Sequence, residues 1–155
     1  MEQPQSAVRI FSEEDFRRLL EWEVQRATRY QDFLSLCLVR VDHAREPHPS
    51  LLPAIARRAG ELLRSTDLVG TIGDCVAILL VHTPDHEAIL TVERLRGRVE
   101  ADPPDVGGAS ASVPGMSLGL ASFPADATGA EALLDQARAR LDEAERSRGR
   151  SSSTP

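Results

Sequence analysis

Apolar positions along this chain come in two kinds of stretch, one repeating every three to four residues and one nearly continuous. Phe16, Leu19, Leu20, Val24 and Ala27 share one helical face behind Ser12, which predicts a helix capped by Ser12 and ending near Tyr30. Trp22 lies off that stripe and reads either as a partner contact or as cover for the end of the core. Phe33 to Val41 is apolar until Arg40 and predicts the first strand, followed by a polar loop from Asp42 to Pro49. Ser50 is placed to cap a second helix to about Leu63, with Leu52, Ile55, Ala59 and Leu62 inward. Leu68 to Thr83 then reads as two strands joined at Gly73-Asp74, a pair that supplies the positive φ angles of a tight hairpin. Val76 to Val81 carries no charge, which predicts a central strand covered on both faces.

Thr83-Pro84 opens a third helix with Ala88, Val92, Leu95 and Val99 as its buried stripe. Asp102 to Gly115 is rich in Pro, Gly and Ser and predicts a flexible loop, and Met116 to Phe123 predicts another strand. Thr128-x-x-Glu131 reads as a capping box for a last helix with Leu134, Ala137, Leu141 and Ala144 on one side. From Arg146 the composition turns Ser/Arg-rich, which predicts disorder. The order α, β, α, β, β, α, β, α predicts an α/β fold with one sheet, an antiparallel hairpin at its centre and helices packed on it.

Composition narrows the function. The 155 residues suit one domain, and 18 basic against 24 acidic side chains leave a net charge of −6, which argues against nucleic-acid binding by bulk electrostatics. No apolar run reaches the length of a membrane span and the first thirty residues hold no signal-peptide core, so a cytoplasmic location without membrane contact is expected. Cys37 and Cys75 sit inside strand runs and read as small hydrophobes. Asp74 at the hairpin tip suits a metal, a phosphate or plain turn chemistry. Neither Asp42 and Asp74 nor the histidines 43, 48, 82 and 86 show ligand spacing, so no metal and no cofactor are expected.

A resemblance emerges from residues taken together. Arg29-Tyr30, Leu34-Ser35-Leu36 to Val41-Asp42-His43, Leu62 to Val69, Ala77-Ile78-Leu79-Leu80 and Glu93-Arg94-Leu95-Arg96 carry its first part. Ser117-Leu118-Gly119-Leu120-Ala121, Phe123-Pro124-Ala125-Asp126 and Ala137 to Leu141 complete it. In order and spacing this resembles the GGDEF domain of bacterial diguanylate cyclases over roughly residues 11 to 150, without the strand-like segment after the final helix. The resemblance implies a palm-like α+β sandwich with a central mixed sheet. It divides the chain into a flexible N-terminus (1–10), a degenerate GGDEF-like domain (11–147) and a disordered tail (148–155). It also implies an activity in which two GTP-loaded domains face each other and make cyclic di-GMP, with two Mg²⁺ ions held by carboxylates.

The positions implied for that chemistry are altered. Where the family has Asp-x-Asp at the end of the first strand, this chain has Arg40-Val41-Asp42. A cation there repels a metal ion by about 4 kcal/mol per charge pair at 4 Å and an effective dielectric of 20. The signature at the hairpin tip is reduced to Gly73-Asp74-Cys75, with cysteine for glutamate. Residues 44 to 49 are shorter than the family's guanine-holding loop, the opening segment is replaced by Val8 to Ser12, and Glu145 stands where the family has a phosphate-contacting lysine. The expectation is a chain that is not an enzyme and regulates through a protein partner of a bacterial signalling system, compatible with a homodimer. Arg64-x-x-Asp67 together with Arg94 matches the family's product site, so the alternative is a cyclic di-GMP receptor, and an active cyclase comes last.

Overall fold

The computed structural model describes residues 8–41, 49–106, 109–110 and 115–152. In chain order the elements are β1 (Ile10–Phe11), α1 (Glu13–Tyr30), β2 (Leu34–Val41), α2 (Leu51–Leu62), β3 (Leu68–Ile72) and β4 (Cys75–Val81). There follow α3 (Asp85–Ala101), β5 (Asp105–Val106), β6 (Ala109–Ser110), β7 (Met116–Phe123) and α4 (Ala130–Ser152). The main sheet runs β1-β3-β4-β2-β7, with β1 parallel to β3 and the other neighbours antiparallel. This is the mixed sheet with a hairpin that the sequence predicts. The short β1, and the β5-β6 ladder inside the stretch read as loop, are additions to it.

Strand periodicity sorts the core into two layers. Leu34, Leu36 and Leu38 of β2 point to the face covered by α1 and α4, where Phe16, Leu20, Val24, Leu134, Ala137 and Leu141 meet them. Cys37, Val39 and Val41 point to the other face and pack with Ile55, Ala59, Val92, Leu95 and Val99 of α2 and α3. Every residue of β4 is buried, as a charge-free run on a doubly covered sheet requires.

Several local expectations change. Ser50 has helical ψ (−2°) and makes no side-chain capping bond; its carbonyl instead accepts from the Ala54 amide at 3.1 Å. Leu62 ends its helix and is exposed, while Leu51 and Ala56 are buried in its stead. The buried Thr83 hydroxyl donates to the Val81 carbonyl, and Pro84 takes the N-cap position of α3. Only Gly73 of the hairpin pair has a positive φ (58°), the pattern of a II′ rather than a I′ turn. Trp22 does not cover the end of the core, because 67% of it is exposed. α4 runs to Ser152, past Arg146. Among the described residues no helix is long and apolar enough to cross a membrane.

Candidate functional site

Three places gather the side chains that carry chemistry. The first lies where β2, the hairpin tip and α4 converge. Arg40, next to last in β2, points to the α4 face because its neighbours Val39 and Val41 point to the other. Its Nε donates to Asp74 Oδ1 at 3.3 Å, and its Nη1 donates to Asp142 Oδ1 at 3.3 Å and to Glu145. Burial alone would lower the pKa of this guanidinium, but Cys75 in its ionised thiolate form and the Glu145 and Asp74 carboxylates outweigh it and raise the value. Burial raises the Cys75 thiol to about 11 against the opposing pull of Arg40, so the thiol stays protonated at neutral pH. Gly73 closes the tip by donating its N–H to Glu13 Oε1 at 2.8 Å, the first cause of that carboxyl's lowered pKa.

Arg40, Gly73, Asp74, Cys75 and Glu145 are therefore brought together at this apex, while Asp42, His43 and His48 lie outside the described residues. Asp142 was missed in sequence. Its signal is its place three residues before Glu145 on the same face of α4. The Mg²⁺ implied by the resemblance does not fit what is described here. A guanidinium sits amid the carboxylates, and among the described residues no group of three or more His, Cys, Asp or Glu side chains is arranged to hold a metal ion. His82 pairs instead with Asp32, and His86 lies 3.6 Å from Asp85.

The second place is the turn between α2 and β3. The Asp67 side chain is only 2% exposed, and it accepts from the Val81 amide at 3.1 Å, the Arg64 amide at 3.2 Å and Arg64 Nε at 3.4 Å. Arg64 Nη2 also donates to the Val81 carbonyl at 2.9 Å and to Thr83 Oγ1 at 2.8 Å. These bonds tie the end of α2 to the end of β4. Arg94 is exposed on α3, and no hydrogen bond or ion pair among the described residues joins it to Arg64 or Asp67. The Asp67 carboxylate is thus closed to solvent while Arg94 stays exposed, because Asp67 is taken up by backbone donors that would otherwise be left unpaired.

The third place was only hinted at by Trp22. A groove of about 510 Å³ runs along α1, lined by Leu19, Trp22, Arg26, Arg29 and Tyr30, and is closed by Thr66 and Leu68 beside the second place. Trp22 and Tyr30 are each 67% exposed. Arg26 is engaged by Glu23 at 2.9 Å and Asp32 at 2.9 Å, yet its Nη2 is buried without an acceptor. Arg29 has no acidic partner among the described residues.

The family model for the diguanylate cyclase GGDEF domain matches residues 49–151. Among solved structures, the GGDEF domain of YfiN (TpbB) from Pseudomonas aeruginosa superposes with a TM-score of 0.78 at 23% identity, over 90% of this chain and 92% of that one. The diguanylate cyclase SiaD of P. aeruginosa, solved with its activator SiaC, gives 0.77 at 26% identity, over 92% of this chain and 58% of that one. The active GGEEF domain of a Vibrio cholerae diguanylate cyclase gives 0.77 at 16% identity, over 90% and 93%. No curated protein matches by sequence. The expectation that the chain is not an enzyme is corrected by these matches, since the family is one of cyclases and the fold is that of an active one. Cys75 and Glu145 lie within the matched residues 49–151 and do not remove the chain from the family. With the family model spanning 49–151 and the palm-like sheet in place, the chain belongs to the diguanylate cyclase GGDEF domain family.

Proposed function

We propose that this GGDEF domain serves cyclic di-GMP signalling by regulating through protein contacts, with the α1 groove as its docking face. The observation that carries the reading is the exposure of Trp22 and Tyr30 beside the groove. Trp, Tyr and Arg are the side chains that dominate binding at interfaces. Covering on the order of 100 Å² of such a ring yields roughly 2.5 kcal/mol. The occupant that fits is a protein segment with apolar anchors and a carboxylate, which would pair with Arg29. That SiaD pairs with an activator protein supports such a contact for a related fold.

A cyclic di-GMP receptor is the second reading. It keeps the exposed Arg64 and Arg94 guanidinium groups but not the buried Asp67 carboxylate. The test is capture of partners from the host lysate with and without cyclic di-GMP, by wild type, Trp22→Ala/Tyr30→Ala and Arg94→Ala. We expect a specific partner whose yield falls at least tenfold in the double variant, whether or not dinucleotide is present, and holds in Arg94→Ala. Equal capture by the double variant overturns the docking face. Capture that needs cyclic di-GMP and is lost in Arg94→Ala transfers the function to the receptor reading. Formation of cyclic di-GMP from GTP and Mg²⁺ is followed in the same preparations, and turnover untouched by the double variant would assign the chain to synthesis instead.

A further inference from the structure

β7 is the outermost strand of the sheet, paired with β2 on one side and with nothing described on the other. Two hydrogen bonds show which way its backbone points. The Ser122 N–H donates to the Asp126 carboxylate at 2.8 Å, and the Leu120 carbonyl accepts from Arg140 at 2.7 Å. An amide has one hydrogen, so Ser122 points away from β2. The β2-β7 register is unbroken from Leu34↔Phe123 to Val41↔Met116, so Met116, Leu118 and Leu120 point outward as well. The Asp126-Arg140 pair occupies only the Phe123 end of this edge. Among the described residues no partner is found for the amides of Leu118 and Leu120 or the carbonyl of Leu118.

Natural sheets blunt such edges with charges, prolines, bulges or very short strands. β7 has none of these: Met-Ser-Leu-Gly-Leu-Ala-Ser-Phe is uncharged, free of proline, eight residues long and without a bulge. Leu118 and Leu120 flank the edge on the α2/α3 face and are only partly buried there.

We propose that this edge pairs with β7 of a second copy of the chain, antiparallel across a two-fold axis at Leu118. The edge is its own complement. Leu118 would exchange two N–H···O bonds with its symmetry mate, and Leu120 would do so with Met116 of the mate, the Leu120 carbonyl keeping a second lone pair for this beside Arg140. The leucine stripes would meet in register. A single strand pair covers less than the roughly 1,200–2,000 Å² of a stable interface, so the association is weak, with a dissociation constant on the order of 100 μM. This inference does not depend on the α1 groove.

The test is sedimentation equilibrium of the full chain from low micromolar to about 1 mM, on wild type, Leu118→Pro and Leu120→Pro. Proline at either position deletes only an outward N–H, leaves the bonds to β2 intact and suits an edge strand. We expect the wild-type weight-average mass to rise towards twice the monomer mass, and both proline variants to stay monomeric with a native circular dichroism spectrum. Leu118→Lys, which keeps the amide but adds a charge at the axis, should also be monomeric and serves if the prolines unfold the chain. A wild type that stays monomeric throughout, or dimers that persist in the folded variants, overturn the proposal.

Discussion

A guanidinium holds the apex of this domain together. Arg40 is 18% exposed, and around it are Asp74 from the hairpin and Asp142 and Glu145 from α4. Removing it takes from these three carboxylates the guanidinium that all of them share. Their partial exposure keeps the cost below that of a fully buried pair. Arg40→Ala is expected to lose roughly 1–3 kcal/mol in urea titration, and millimolar divalent cation should recover part of this loss in the variant. A variant as stable as wild type would show that the cluster is ornamental. Asp126 offers a pH test. The side-chain bonds from Arg140 are the first cause of its lowered pKa, opposed by burial and helped by the Ser122 amide. A depressed carboxyl contributes stability above its unfolded pKa of about 3.9 and loses it as pH falls through the lower folded value. The stability gap between wild type and Asp126→Asn should therefore be full near neutrality and shrink below pH ~4. A gap that stays constant down to the folded value would mean that Asp126 contributes no linkage. At this scale the sequence displayed Arg40, Asp74 and Glu145 as altered positions. It could not display that they touch, because the ion pairs Arg40-Asp142 and Arg40-Glu145 join residues brought together only by the packing of α4 on β2.

Helices and strands were read from sequence wherever one physical rule dominated. Ser12 caps α1 through the Asp15 amide at 3.2 Å, and the α3 stripe of Ala88, Val92, Leu95 and Val99 is the buried one. Rules failed where a tertiary partner competed. Thr83 gave its hydroxyl to β4 and Arg64 rather than to α3, and the Asp67 carboxylate went to the Val81 amide. The contact between α4 and β7 makes a prediction of its own. Gly119 lies so close to α4 that a Cβ would overlap the Ala137 carbonyl oxygen and come 2.5 Å from the Leu141 amide nitrogen. Since both neighbours are helix backbone and cannot rotate away, Gly119→Ala should destabilise by about 2 kcal/mol or more, measured as a lower urea midpoint. An unchanged midpoint would mean that α4 can lift off the strand at little cost.

The domain is built on a five-stranded sheet covered on both faces, and β2 and β4 supply side chains to both layers of the core. Loss of either helix layer would expose the strands on which the other rests, so we expect a single cooperative transition, with calorimetric and van't Hoff enthalpies equal. Two resolved transitions would show that the layers are separable. Trp22, the one tryptophan, is exposed already in the folded state, and its emission should change little on unfolding but shift to the blue when the α1 groove is occupied. The sequence by itself determined the order of the four helices and the four longer strands, the strand that would be central and the family, because these follow from local periodicity and from the order and spacing of short motifs. Only the tertiary structure decided that Asp67 is closed, that Arg40 is embraced by α4, that Trp22 borders a groove and that β7 is the edge strand of the described sheet. Each of these depends on which distant backbone or side-chain group arrives first at a donor or an acceptor, and that competition is settled by packing over the sheet rather than by neighbours along the chain.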